Sequence, residues 1–291
     1  MAGTARRPRL PPHPALLIRF RLPLDEESRM NRLTWAFADG WTVTRREVTH
    51  WTSRPGTLIA GLLFPVMIVL LFAYLLGGGI EVPGGGYREF LMPGMFALTM
   101  VFGLEGTFTA IGNDVTKGVT DRFRSLPMAS SAVVSGRAAA DMLTSVLSLA
   151  VLIVCGLAVG WSAHNGFGDA LAAVGLLLWL RFSLLWMGIW LGLKIRNPEA
   201  VMAIQILVWP IGFLSSAITS PETMPGWLGV IADWNPLSST AAATRELFGN
   251  PGWANDTWAA AHAVELALAW PLVITAVFAP LSVRAYRNLS R

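Results

Sequence analysis

The chain has 291 residues, of which 54% are hydrophobic and only 14% are charged, and its mean hydropathy is +0.53. A soluble domain carries about 25% charged residues, so this chain has too few charges to cover a water-facing surface and its apolar residues indicate a lipid environment. The single cysteine, Cys155, excludes a disulfide framework and a cysteine metal site. The net charge of +4 comes from basic residues at the ends of apolar runs, which argues against nucleic acid as a partner.

The N-terminal residues 1–30 are rich in Pro and Arg and show no sustained periodicity, which predicts a flexible cytoplasmic tail. The first apolar run begins near Leu58, too late in the chain for a secretory signal peptide. Translation from Met30 instead of Met1 is an alternative that would remove this tail. Residues 31–291 are expected to form one membrane domain.

The segment 33–51 precedes the first apolar run and has helical amphipathicity. Phe37, Trp41 and Trp51 share one side of the helical wheel, and Arg46 lies on another. A helix with tryptophans on one side and arginine on another is typical of the membrane interface. We therefore predict an N-terminal interfacial amphipathic helix, the alternative being a surface helix of a soluble extension.

Six mostly apolar segments are long enough to cross a bilayer, whose core needs roughly 20 helical residues. Their approximate bounds are 58–76, 91–112, 137–159, 170–193, 200–218 and 261–283. The predicted fold class is therefore all-α, a polytopic membrane protein with six transmembrane helices. Pro65 and Pro210 predict bends in the first and fifth spans.

Basic residues determine the predicted orientation, because Lys and Arg near span ends stay on the cytoplasmic side. With the N-terminus inside, the inner segments hold 19 of the 22 Lys and Arg residues, whereas the outer segments hold only Arg88 and Arg245. The sequence thus predicts a multi-pass protein of the cytoplasmic membrane with both termini in the cytoplasm.

Motifs of enzymatic chemistry are absent from the sequence. There is no GxxxxGK[ST] phosphate loop, no HExxH and no GxSxG motif, and the four histidines are scattered. We therefore expect no catalytic residue, no cofactor and no metal site in this chain.

Glu105, Asp141 and Arg181 lie within the second, third and fourth apolar spans, where each costs about 2.5–3.5 kcal/mol at mid-helix. Each shares a helix face with small or polar residues, so all three are expected to face protein instead of lipid. One interpretation is a proton or cation pathway, and the other is mutual pairing that holds the helices together. For pairing, Glu105 is the first candidate partner of Arg181 and Asp141 the second.

The inner loop between the second and third spans contains a short amphipathic helix. Val119, Phe123 and Leu126 recur at helical spacing, Arg122 and Arg124 occupy other faces, and a proline then ends the helix. Such a helix could lie on lipid, or it could dock in a groove of a soluble partner.

The run Gly118-Val-Thr-Asp-Arg-Phe-Arg-Ser-Leu-Pro127, followed by Gly136-Arg137 and Asp141, resembles the signature of ABC-2 type exporter permeases, especially their daunorubicin-resistance branch. The stretch Pro221-Glu-Thr-Met-Pro-Gly-Trp-Leu228, then Asn235-Pro-Leu237 and Arg245, resembles the loop between the family's last two spans. The resemblance covers about residues 31–291. A departure is Ser130-Ser131, where many relatives have an arginine.

The resemblance implies a permease that pairs with a second permease copy, as homodimer or related heterodimer, and with separate nucleotide-binding ATPase subunits that hold ATP and Mg. The helix 116–126 would then be the cytoplasmic coupling helix. The outer segment 220–260, with Trp227 and Trp234, would form a re-entrant helical hairpin that caps the exit as an outer gate; an ordinary aromatic anchor belt is the alternative.

The function that this resemblance implies is export of amphipathic drugs, antibiotics or lipids across the cytoplasmic membrane. A lipid or polysaccharide exporter of the same fold is one alternative. A proton-coupled carrier is another, and a scaffold without transport activity is a third. A proton-coupled carrier would predict matching halves with broken helices, and no such repeat is present in the sequence.

Overall fold

A computed structural model describes residues 55–77, 80, 82–116, 130–195, 197–252 and 257–288, all within one compact unit that begins at Ala36. The described part of the chain is built of α-helices, with one isolated bridge between Val82 and Gly85. The predicted tail and the predicted interfacial helix lie outside these ranges.

Nine α-helices occur in the described residues. They are α1 (Pro55–Leu75), α2 (Tyr87–Thr116), α3 (Ser130–Val159), α4 (Phe167–Lys194), α5 (Pro198–Phe213), α6 (Gly226–Asp233), α7 (Pro236–Phe248), α8 (Trp258–Ala261) and α9 (Ala263–Asn288). A single 3-10 turn, Pro221–Thr223, precedes α6.

Four of these helices are long and apolar enough to cross a membrane by length and composition: α2, the part of α3 from Ser135 to Val159, α4 and α9. Two further apolar segments are shorter, Ile59–Leu75 of α1 and Glu199–Phe213 of α5. An all-helical membrane protein is therefore confirmed, whereas the count of six spans stays a prediction.

The fifth apolar helix ends at Phe213, five residues before its predicted limit at 218. Asn235 explains this early end, because its side-chain amide donates to the carbonyls of Ile211 and Leu214 at 2.9 and 2.7 Å. These bonds satisfy carbonyls that a helix end leaves without an intrahelical donor. The Asn235 carboxamide oxygen also accepts from the Leu237 amide at 2.9 Å, which caps the start of α7.

Helix α2 is the centre of the packing, and its buried side chains include Phe90, Phe96 and Phe108. Helix α4 packs between α2 and α9, and α7 packs against all three of them. The large apolar side chains of α1 and α5 are mostly exposed, as expected where apolar surface meets lipid or another membrane subunit.

Small residues bring the backbones of α4 and α2 together. A Cβ added at Gly192 would stand 2.7 Å from the Phe108 carbonyl oxygen, and one at Gly188 would stand 3.1–3.2 Å from Thr107 and Leu104. This close approach agrees with the small-residue stripe read from the sequence of the fourth span, and it places the charged residue on that stripe inside the protein.

Candidate functional site

A cavity of about 730 Å³ lies among the first five apolar helices. Its wall contains residues of α1, α2, α3, α4 and α5, and all three predicted intramembrane charges, Glu105, Asp141 and Arg181, line it. Threonine, serine and glutamine side chains share the wall with the aromatic rings of Phe64, Phe102 and Trp209. The cavity therefore offers both polar and apolar surface to a guest molecule.

Arg181 is the most deeply buried of these charges, with 3% of its surface exposed. Its Nε donates to the Ser145 hydroxyl and its Nη2 to the Thr107 hydroxyl, both at 2.7 Å. Each hydroxyl in turn donates to a backbone carbonyl, that of Asp141 for Ser145 and that of Gly103 for Thr107. The guanidinium thus joins α4 to α3 and α2 through oriented acceptors.

Acidic and basic side chains alternate from the C-terminal end of α2 to the cavity. Arg137 lies 3.1 Å from Asp114 and 3.7 Å from Asp141, and Asp141 lies 4.0 Å from Arg181. The last distance is too long for a hydrogen bond, so Asp141 and Arg181 interact by charge alone. These contacts connect the two helices that flank the inner loop to the wall of the cavity.

Asp141 and not Glu105 is the acidic partner of Arg181, so the order of the two candidate partners was wrong. Within the described part of the chain, the Glu105 carboxylate makes no hydrogen bond and no ion pair. Glu105 and Arg181 lie on neighbouring helices, but the Thr107 hydroxyl takes the Nη2 donor. Helix periodicity alone could not distinguish these arrangements, because both acids lie on small-residue faces.

Aromatic rings form one side of the cavity. The ring centroids of Phe102 and Trp209 are 4.4 Å apart, and those of Phe64 and Trp209 are 5.6 Å apart. Next to them, the Gln205 side chain donates to the Thr109 hydroxyl at 3.2 Å. This wall joins α1, α2 and α5.

A second cavity of about 390 Å³ has the buried Arg245 in its wall. The Arg245 guanidinium donates to the carbonyls of Phe90, Ser216 and Ala217 at 2.7–2.9 Å and lies 3.9 Å from the centre of the Phe90 ring. Burial lowers the pKa of Arg245 to about 9, and the nearby Tyr87 acts in the opposite direction. The side chain therefore stays charged at neutral pH and fastens α7 to α2.

The two tryptophans predicted to form an outer gate lie on α6 and directly after it. Trp227 is 69% exposed on α6, and Trp234 follows α6 and stacks on Trp258 with centroids 5.7 Å apart. Trp258 in turn stacks on His262. Two short helices, α6 and α7, occupy this segment, whereas a re-entrant hairpin and its role as a gate stay predictions.

Several predicted site residues lie outside the described residues. These are Phe37, Trp41 and Trp51 of the interfacial helix and Val119, Arg122, Phe123, Arg124 and Leu126 of the coupling helix.

Sequence reasoning missed four residues that shape the cavity. Gly103 lets Arg181 lie against α2, because a Cβ added there would be 2.7 Å from the Arg181 Nε. Gln205 and Trp209 contribute polar and aromatic wall, and Gly106 contributes open space. A glutamine in an apolar span was the one available signal, since an amide inside a membrane generally faces protein.

Fold and cavity together define a helical membrane protein with a mixed polar and aromatic chamber between its spans. Among the residues that the structure describes, no three His, Cys, Asp or Glu side chains are grouped to hold a metal ion. The chain belongs to the ABC-2 type transporter family, whose pattern matches residues 39–248. The resemblance seen in the sequence is thereby confirmed.

Relatives with assigned names agree with this membership. The daunorubicin resistance ABC transporter permease protein DrrB1 of Streptomyces coeruleorubidus is 37% identical over 236 residues, which cover 80% of this chain and 81% of the relative. The ycf38 protein of Pyropia yezoensis is 25% identical over 72% of this chain and 74% of its own length. The ycf38 protein of Cyanophora paradoxa is 25% identical over 73% and 75%. The chain is thus an ABC-2 type permease, a transport subunit and not a catalytic one.

Proposed function

We propose that this permease forms the membrane half of an exporter that moves amphipathic drugs or antibiotics out of the cell. The observation that carries the proposal is the cavity of about 730 Å³ among the first five apolar helices, in a chain related to a daunorubicin-resistance permease. Its polar and aromatic walls suit a guest with both kinds of surface. Transport would use ATP and Mg bound by a separate ATPase subunit.

The proposed arrangement in the cytoplasmic membrane has six spans and both termini inside. Helix α1 has 21 residues and would extend about 31 Å, and α5 has 16 residues and would extend about 24 Å. The first length matches a bilayer core of about 30 Å, and the second requires local thinning or a partner. The distribution of Lys and Arg supports the orientation.

Reporter fusions test this topology. We expect reporters after Thr116 and after Arg291 to be cytoplasmic, and one at Gly252 to be outside. A Gly252 reporter accessible only from the cytoplasm would contradict the six-span arrangement.

Coupling to the ATPase is proposed for the loop that contains Phe123. Helix α2 ends at Thr116 and α3 begins at Ser130, and the Asp114–Arg137 contact joins these two helices at 3.1 Å. A force on the loop would therefore reach the charges in the cavity wall. Two permease copies are proposed per transporter, with α1 and α5, the helices with exposed apolar faces, beside the shared path.

Export from everted vesicles tests the whole proposal. The permease would be expressed with a candidate ATPase subunit, and ATP-dependent uptake of daunorubicin would be measured. An ATPase lacking its phosphate-loop lysine would be the control. Uptake that requires both subunits and ATP is expected. Uptake driven by a proton gradient without the ATPase would contradict the proposal. If the permease binds the ATPase but moves lipid or polysaccharide instead, it belongs to that class of exporter.

A further inference from the structure

Glu105 is the charge in the cavity wall that the rest of the wall does not neutralise. The two basic residues of the wall both have acidic neighbours: Arg137 lies 3.1 Å from Asp114, and Arg181 lies 4.0 Å from Asp141. Glu105 makes no such contact with any described residue, although it lies in the middle of α2 and is only partly exposed. Glu105 is therefore the one carboxylate of the wall without a charged or hydrogen-bonding partner in the described residues.

An uncompensated carboxylate inside a membrane span is costly, so such groups are generally paired or functional. Pairing that fastens helices together is already provided by Arg181 with Asp141, Ser145 and Thr107. Glu105 adds nothing to that network in the described residues. A positively charged guest would supply the missing partner.

The aromatic wall indicates what else this guest carries. Trp209 lies against Phe102 and Phe64, with ring centroids 4.4 and 5.6 Å away, and all three residues line the same cavity as Glu105. Faces of Trp and Phe attract cations and stack on other aromatic rings. An anion would meet no favourable ring face there, and the one guanidinium nitrogen of Arg181 that makes no hydrogen bond in the described residues, Nη1, is buried.

We propose that this cavity binds a monovalent organic cation that carries aromatic rings, with Glu105 as its counter-ion and Trp209 and Phe102 as its apolar contacts. The inference rests on the proposed export function and specifies the substrate class of that site.

Open space around the carboxylate allows entry of such a guest. A Cβ added at Gly106, the residue after Glu105, or at Gly61 of α1 meets no heavy atom within 4 Å, and both glycines line the cavity. A bulky residue at Gly106 would therefore occupy the space of the guest without displacing a neighbour at its Cβ. This gives a second variant that does not depend on removing a charge.

Two probe ions of nearly the same size and shape and opposite charge test the proposal: tetraphenylphosphonium and tetraphenylborate. Binding of each to the full-length permease in lipid nanodiscs would be measured by equilibrium dialysis, with binding to empty nanodiscs subtracted. Glu105→Gln keeps the shape of the side chain and removes its charge. Glu265→Gln is the matched control, because Glu265 is exposed at the start of α9 and does not line the cavity.

The expected result is saturable binding of tetraphenylphosphonium that Glu105→Gln weakens by about tenfold or more, as for loss of a charge-assisted contact. Glu265→Gln should leave this binding unchanged, and Gly106→Phe should block it. Tetraphenylborate should bind the wild type more weakly and should not lose affinity in Glu105→Gln.

Equal binding of the two ions by the wild type, or unchanged tetraphenylphosphonium binding in Glu105→Gln, would overturn the proposal. So would equal loss of both ions in Glu105→Gln, because Glu105 would then maintain the shape of the cavity and not recognise charge. The assay contains neither ATP nor ATPase. Its failure is therefore distinguishable from failure of the proposed export function, which would appear as absent ATPase assembly and absent ATP-dependent uptake.

Discussion

The Asp141–Arg181 contact makes an asymmetric prediction about stability. Arg181 is buried, and Asp141 is the one acidic group within 4.0 Å of it in the described residues. Asp141 has a second basic neighbour, Arg137, at 3.7 Å. Removing the carboxylate therefore strands the guanidinium, whereas removing the guanidinium leaves the carboxylate a partner.

The loss of folding stability expected for each variant follows from this geometry. Stranding one member of a buried ion pair costs about 3–5 kcal/mol, so Asp141→Leu should destabilise the protein by an amount in that range. Arg181→Leu also loses the two 2.7 Å bonds to Ser145 and Thr107, but it removes the buried charge as well. We expect it to cost less, about 1–3 kcal/mol, and we expect the double variant to recover part of the Asp141→Leu loss.

Thermal melting of the detergent-solubilised protein would measure these effects, with the four members of the cycle compared in one detergent. Coupling between the two positions should reach about 0.5–3 kcal/mol. The same cycle with Glu105→Leu in place of Asp141→Leu is the control, and it should be nearly additive. The reasoning would be refuted if the Asp141–Arg181 cycle were additive while the Glu105–Arg181 cycle showed the coupling.

Three further predictions concern other parts of the chain. Phe123→Ala should weaken co-purification of the ATPase by about thirtyfold, as for a packed interface anchor. Arg122→Ala should have a smaller effect that varies with salt. Normal assembly of both variants would indicate that the loop helix only lies on lipid. Gly103→Ala should lower the melting temperature, because its Cβ would be 2.7 Å from the buried guanidinium of α4, whereas Gly106→Ala meets no heavy atom within 4 Å and should not. Arg245→Lys should lower the stability of the folded protein by about 1–3 kcal/mol in the same melting assay, because an ammonium group cannot reproduce the planar contacts to three carbonyls. An unchanged melting temperature would show that this side chain does not fasten α7.

The general character of the fold could be predicted from composition and apolar runs. Segments of roughly 20 apolar residues require backbone hydrogen bonds within themselves, which only a helix provides in lipid. The structure accordingly has helices over all six predicted segments, and their ends differ from the predictions by a few residues. The early end of α5 at Phe213 depends on the Asn235 side chain from a distant segment, and such a contact leaves no local signal.

The site could be predicted only in part. The sequence located three charges in apolar spans and predicted that small-residue faces would bury them, and the structure places all three around one cavity. Their mutual geometry did not follow from the sequence, because the pairing depends on the relative rotation and depth of three helices. Gln205 and Trp209 belong to the site for the same reason, since the packing of α5 against α2 brings them there.

The sequence by itself determined that this protein lies in lipid, that it is helical and which family it belongs to. The length of the apolar runs and the inner-loop signature are local properties of the chain. Only the tertiary structure decided that Asp141 neutralises Arg181 and that Glu105 stays without a partner in the described residues. The physical reason is that Coulomb energy depends on distances between helices. A helix face tells which residues point inward, but only the packing at Gly103, Gly188 and Gly192 determines which of them meet.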